Sequence, residues 1–216
     1  MGRVRTAVLI SGRGSNLQAL IDAAADPAYP ADPALVVSNV AGAAGLARAE
    51  QAGIATCVLP HRDFPSRAAF DAALHELLES YGISLVCLAG FMRLLGPRIV
   101  ADWEGRMLNI HPSLLPAFKG LDVHRQVLDA GVRVSGCSVH FVTADLDAGP
   151  VIVQGVVPVL PDDDEERLAA RVLTVEHRCY PAALGWLASG RVRLENGCVR
   201  YGDVPAAEAW LSNPQV

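Results

Sequence analysis

At 216 residues, 51% hydrophobic and 19% charged, the chain has the size and composition of one well-cored globular α/β domain rather than a disordered segment. Its net charge of −5 offers no electrostatic footprint for nucleic acid or an anionic membrane surface. The basic start MGRVR leads into an apolar run that ends at Ser11, too short for a secretory signal, and no stretch approaches the roughly 18 apolar residues of a membrane span.

Short apolar runs then alternate with helical periods. Strands are predicted over 4–10, 35–37, 56–59, 85–88 and 107–110, and helices over 17–25, 43–52, 66–81 and 97–102. That alternation implies a doubly wound α/β fold, a mostly parallel sheet with helices on both faces. Longer runs at 135–142 and 150–159 are expected to add antiparallel strands, and 164–188 reads as a long helix. RVRLENGCVRY reads as a hairpin turning on Asn196 and Gly197. Nothing marks a linker or repeat, so the chain is read as a single domain, 1–216, with sub-regions 1–105, 106–190 and 191–216.

Two groups of polar residues invite a metal. The acidic run 162–166 opens the long helix, where carboxylates cap free amides and complement the dipole, and it is read as a cap. Cys57, Cys87, Cys137, Cys179 and Cys198 contain no Cys-x-x-Cys pair, which fits reduced thiols of a cytoplasmic protein. No metal is expected.

After the first strand comes SGRGSNLQAL. Two glycines allow a tight turn, and the helix that follows presents unpaired amides suited to an anion. The Gly-Lys-Ser/Thr of a P-loop is missing. Leu17 stands where a dinucleotide fingerprint needs its third glycine, and the second strand ends in Ser38 and Asn39 with no carboxylate for a ribose diol. A phosphate monoester therefore suits the loop better than a dinucleotide. A purely structural strand–helix turn remains equally open at this point.

The stretch LNIHPSLLP carries an amide and an imidazole two residues apart at the end of an apolar strand. Residues i and i+2 share a face, so Asn109 and His111 stand side by side where open α/β sheets place ligands. An amide N–H and an imidazole N–H aimed at one point form an oxyanion site. The acidic turn TADLDAGPV supplies Asp147, a carboxylate able to orient the imidazole. Ser113 lacks the glycine-flanked elbow of a hydrolase nucleophile, so the nucleophile comes from the substrate. Direct acyl transfer to a phosphate-bearing acceptor follows.

SGRGSNLQAL, LAGFMRLLGP, LNIHPSLLPAFKG, SVHFVTADLDAGPVI and EHRCYP, in this order, resemble the phosphoribosylglycinamide formyltransferases, a folate-dependent family of purine biosynthesis. The resemblance runs from residue 4 to about 195 and implies 10-formyltetrahydrofolate as co-substrate and glycinamide ribonucleotide as acceptor. It implies that Gly14, Ser15 and Asn16 hold the phosphate and that Glu176 contacts the ribonucleotide. Asn109, His111 and Asp147 become the catalytic trio, with Asp147 favouring the protonated imidazole and helping to relay the amine proton. Met92, Arg93, Leu94 and Leu95, with Asn109 and the turn Thr143, Ala144, Asp145, Leu146 and Asp147, become the folate cleft. Arg67 reaches the folate at its glutamate tail. On this reading 1–105 is the phosphate-binding half, 106–190 the catalytic and folate-binding half, and 191–216 a hairpin and tail. The loop 112–120, stiffened by Pro112 and Pro116, is expected to close over substrate and to move without it. Arg13 and Ala148 depart from the family pattern, Ala148 replacing a common glycine. His140 and His177 stay outside the trio.

Small-molecule substrates, no nucleic acid, no membrane and a monomer or homodimer complete the expectation. A methionyl-tRNA formyltransferase needs a basic C-terminal domain, and a formyltetrahydrofolate hydrolase a regulatory domain and a histidine at Pro112. A sugar-nucleotide N-formyltransferase fits a monophosphate loop poorly. A non-catalytic nucleotide-binding module leaves Asn109, His111 and Asp147 idle.

Overall fold

The structure, a computed structural model, describes residues 2–205 and Asn213; the rest of the expected C-terminal tail lies outside the described residues. Five strands run parallel: β1 (Val4–Ile10), β2 (Ala31–Ser38), β3 (Ala55–Val58), β4 (Leu85–Leu88) and β5 (Met107–His111). Strands β6 (Val134–Phe141) and β7 (Val151–Pro158) add antiparallel, giving the order β3-β2-β1-β4-β5-β6-β7. The chain winds outward from β1 to β3, then returns to place β4 on the other side of β1. That reversal opens a crevice between β1 and β4 at their carboxyl ends.

Helices α1 (Ser15–Ala24), α2 (Ala44–Gln51), α3 (Arg67–Ser80), α4 (Pro97–Asp102), α5 (Val123–Asp129) and α6 (Glu165–Ala188) cover the faces. The period of two in β1 divides the core. Val8 and Ile10 join Leu17 and Leu20 of α1 and Leu168, Val172, Tyr180 and Leu184 of α6. Ala7 and Leu9 join Phe70, Leu74 and Leu78 of α3 with Ile99 and Trp103. Trp103 and Phe70 are fully buried, and truncating either to alanine costs about 3–5 kcal/mol in such a core. A two-stranded hairpin, β8 (Val192–Glu195) and β9 (Cys198–Tyr201), turns on Asn196 and Gly197, both at positive φ, as a two-residue loop requires.

Most elements match the sequence reading to within a residue or two at their ends, and two depart further. Strand β2 begins at Ala31 and carries Pro33, which the ladder accepts because the register shifts opposite Thr6 and Ala7. Helix α5 was not anticipated: seven residues with two buried positions, Val123 and Val127, carry too short a period to read. The acidic run does open α6. Asp164 accepts from Arg167 N at 2.8 Å, while Asp163 accepts from Leu160 N and pairs with Arg171 at 2.6 Å. The Arg171 guanidinium holds the Asp163 carboxyl below the usual carboxylate range.

Candidate active site

Asn109 and His111 are the third and last residues of β5, so the strand itself aims both side chains at the carboxyl edge of the sheet. Antiparallel pairing sets His140 of β6 directly opposite Asn109. The two side chains meet at 3.1 Å, Asn109 Nδ2 to His140 Nε2. The His140 Nδ1 lies 2.8 Å from its neighbour's carbonyl, Phe141 O, an acceptor only, so Nδ1 carries the proton. Burial holds the His140 imidazole below the usual histidine value, against the pull of that carbonyl and of Asp147. The neutral ring therefore offers Nε2 as an acceptor, and Asn109 donates one N–H to it. The second N–H of the Asn109 amide is left for a ligand.

His111 is 5% exposed and faces the carboxylate of Asp147, Nδ1 to Oδ2, at 3.4 Å. His140 Nε2 lies 4.0 Å from Asp147 Oδ1. The loop after β5 folds back on the same pair. His111 Nε2 donates to Phe118 O at 2.9 Å, and Gly120 N donates to Asp147 Oδ2 at 3.0 Å. Ser113 Oγ donates to Ala117 O and Gln126 Nε2 to Leu121 O, which brace the loop internally. Asp147 adopts φ 46°, a left-handed conformation that aspartate tolerates at modest cost. Ala148 has no positive φ, so the alanine at this departure from the family pattern is accommodated. The indispensable glycine is the next one: a Cβ on Gly149 would lie 1.8 Å from Phe141 O.

The glycine loop ends in a left-handed Gly14, φ 72°, immediately before Ser15 opens α1. Asn16 Nδ2 donates to Glu176 Oε2 at 2.7 Å across 160 residues of sequence, which brings Glu176 of α6 to the loop. Burial raises the Glu176 carboxyl above the usual glutamate value, with the Asn16 amide pulling it back. Asn16 Oδ1 is buried with no partner among the described residues, a polar atom left for a ligand. Arg13 donates no side-chain bond there, but its carbonyl accepts from Arg48 Nε at 3.0 Å.

Beyond β4 the chain presents Met92 and Leu94, 70% and 54% exposed, toward the same end of the sheet. Arg93 turns the other way and lays its guanidinium over Phe70 at 4.5 Å. Met92 N and Gly96 N are tied to Ser11 Oγ and Asp71 Oδ2. The amides of Arg93, Leu94 and Leu95 make no hydrogen bond within the described residues, so an edge of donors remains open there. Arg67 packs its aliphatic stem beside Gly96. Thr143 Oγ1 donates to Asp145 O within its turn, and Ala144, Asp145 and Leu146 are exposed on the way to Asp147.

Asn109, His111, His140 and Asp147 thus converge, and Gly14, Ser15, Asn16 and Glu176 form a second cluster. Reading the sequence left out His140 and the backbone of Phe118 and Gly120. The His140 partnership was recoverable by pairing the runs 107–110 and 135–142 antiparallel; backbone contacts from a loop leave no residue-type trace. Among the described residues no group of three histidine, cysteine or acidic side chains is arranged to hold a metal, and no helix is long and apolar enough to cross a membrane.

At the carboxyl edge of a doubly wound sheet, the amide and imidazole of β5 thus face a carboxylate carried by the turn between β6 and β7. The chain belongs to the formyl transferase family, whose pattern matches residues 4–184. It is 51% identical to phosphoribosylglycinamide formyltransferase of Escherichia coli (strain K12) over 187 residues, covering 87% of this chain and 88% of that protein. The crystal structure of glycinamide ribonucleotide transformylase 1 from Symbiobacterium toebii superposes with a TM-score of 0.90 at 50% identity, covering 93% of this chain and 95% of that one. The trifunctional purine biosynthetic protein adenosine-3 of Bos taurus is 56% identical over 196 residues, 90% of this chain. The chain spans 19% of the length of that trifunctional protein.

Proposed function

We propose that this enzyme transfers the formyl group of 10-formyltetrahydrofolate to the primary amine of N1-(5-phospho-D-ribosyl)glycinamide in purine biosynthesis. The observation that carries the reading is the convergence of Asn109, His111 and Asp147 at one strand exit, 3.4 Å separating the last two. The identity to phosphoribosylglycinamide formyltransferases over most of the chain supports the choice of donor and acceptor.

The acceptor phosphate sits on Gly14, Ser15 and Asn16, and Glu176 contacts the ribonucleotide beside the free Asn16 oxygen. The open amides of Arg93, Leu94 and Leu95 match the polar edge of the pterin, flanked by Met92, Leu94 and the turn from Thr143 to Asp147, with Arg67 toward the glutamate tail. The amine attacks the formyl carbon, a new C–N bond forms, and the carbonyl oxygen becomes an oxyanion. The free N–H of Asn109 and the Nε2–H of His111 stabilise it. For that, His111 exchanges the Phe118 carbonyl for the oxyanion, so the loop 112–120 shifts as substrate enters. Asp147 keeps the imidazole oriented and accepts the ammonium proton, directly or through water. The C–N10 bond then breaks, the departing nitrogen takes a proton, and tetrahydrofolate leaves with the N-formyl product. The catalytic chemistry falls in the 106–190 half and phosphate binding in the 1–105 half, in a single cytoplasmic domain. The His111→Ala variant tests this: transfer falls by about 10³-fold or more while ribonucleotide affinity is retained. Loss of affinity with unchanged turnover would make His111 a binding residue and remove the mechanism.

A further inference from the structure

One hydrogen-bonded chain crosses the carboxyl ends of four strands that are neighbours in the sheet, and no step of the mechanism uses it. At the exit of β1, Ser11 Oγ donates to Asn39 Oδ1 at 2.5 Å and accepts from Met92 N at 2.8 Å. Asn39, at the exit of β2, is 3% exposed, and its Nδ2 lies 3.4 Å from Nδ1 of His61, in the short turn after β3. Ser11 N also donates to Gly90 O, beyond β4, at 3.1 Å. The chain thus runs His61, Asn39, Ser11, Met92 along the order β3-β2-β1-β4, and its last link spans the crevice at the reversal of strand order.

The hydroxyl commits its one proton and one of its two lone pairs. Its one proton goes to Asn39, which fixes the rotor and turns a lone pair toward the Met92 amide. Asn39 occupies the strand-end position where a dinucleotide site needs a ribose-binding carboxylate; here both ends of its amide are turned inward on the protein. Met92 is the first residue of the segment whose next three amides stand open. Two bonds from Ser11, one from its backbone to Gly90 and one through its hydroxyl from Met92, therefore set where that open edge lies relative to β1.

We propose that Ser11 is a positioning residue that holds the Met92–Leu95 donor edge in register for the pterin, with Asn39 as its anchor. The inference rests on the folate reading of that segment. It makes an asymmetric demand, because Ser11 also precedes the phosphate loop. That loop has its own tie, Gly45 N to Gly12 O at 3.0 Å, and Arg48 holds the Arg13 carbonyl. Losing the Ser11 hydroxyl therefore leaves phosphate binding in place and loosens the folate edge alone.

The test is calorimetric titration of wild type, Ser11→Ala, Ser11→Thr and Ser11→Val with tetrahydrofolate and, separately, with glycinamide ribonucleotide. Ser11→Ala is expected to weaken tetrahydrofolate about tenfold, as for loss of one well-placed hydrogen bond, and to leave the ribonucleotide within about twofold. Threonine and valine differ by a hydroxyl against a methyl, so that pair reads the same contrast should alanine fail to fold. Threonine is expected to bind the folate about as well as wild type and valine about as poorly as alanine. Equal weakening of both ligands, or none of either, overturns the positioning role and leaves Ser11 a structural residue. Wild type that takes the ribonucleotide but not tetrahydrofolate overturns the folate reading of the segment, and this inference with it.

Discussion

Replacing His140 with phenylalanine keeps a planar ring of similar size but removes the nitrogen that receives Asn109. In the wild type that anchor is 3.1 Å long and is set by the 2.8 Å bond from Nδ1 to Phe141 O. Removing an oxyanion donor outright lowers kcat by about 10²–10³-fold. In His140→Phe the Asn109 amide is still present but free to rotate, so the loss falls short of that limit, about 30-fold in kcat or about 2 kcal/mol. KM for either substrate stays within about twofold, because neither leans on His140 in the ground state. The assay is steady-state formyl transfer by His140→Phe, Asn109→Ala and the double variant. If His140 acts through Asn109, the double variant is no slower than Asn109→Ala alone. Losses that multiply would show that His140 works independently and would refute the reasoning. The same geometry fixes a pH dependence. Burial depresses the folded-state value of His140 below its unfolded value of 6.5. Its contribution to stability is therefore complete above about 6.5 and is lost as pH falls through the folded value. The proton that arrives on Nε2 also expels the Asn109 N–H, so activity falls on the same side; in His140→Phe that portion of the acid-side loss in Tm disappears.

Glu176→Gln removes a carboxyl whose value burial has raised above 4.5. A raised carboxyl favours the fold below its unfolded value and loses that advantage as pH rises through the folded one. The difference in Tm between Glu176→Gln and wild type should therefore grow from pH 5 to pH 8 in the variant's favour, while KM for the ribonucleotide rises; a flat difference would contradict the burial argument. Gly149→Ala drives a Cβ to 1.8 Å from Phe141 O, so the turn that carries Asp147 must open. A loss of about 3 kcal/mol or more in urea denaturation is expected, and an unchanged midpoint would mean that the turn is looser than its geometry. Asp147→Ala removes the acceptor of the Gly120 amide. Hydrogen exchange across 112–122 in the ligand-free protein should quicken about tenfold, and unchanged rates would show that the carboxylate does not hold the loop.

The parallel half of the sheet was readable because strands buried on both faces show as unbroken apolar runs, as in the AVLI of β1 and the LVCL of β4. The Asn-Gly turn announced its hairpin for an equally local reason. Helix α5 and the proline-bearing start of β2 were not readable, since the first is too short to show a period and the second depends on a bulge at Ala34, which is skipped in the pairing with β1. The site divides in the same way. Asn109 and His111 share a face by strand geometry alone, so their pairing was visible within three residues. Asp147 was visible as the carboxylate of the acidic turn TADLDAGPV, whereas Arg67 and Glu176 entered through resemblance. The bond from Asn16 to Glu176 joins elements 160 residues apart, and the grip of Phe118 O on His111 uses a carbonyl that every residue owns. Neither leaves a mark on local sequence, because both are made by tertiary packing.

The most direct test of the central claim is formyl transfer itself. The pure protein is mixed with 10-formyltetrahydrofolate and glycinamide ribonucleotide, and the deformylated folate is followed by absorbance beside a reaction lacking the ribonucleotide. Product that forms only when both substrates are present is the predicted result. Product in the absence of the acceptor would make the enzyme a hydrolase, and none in either reaction from folded protein would contradict the assignment of the acceptor.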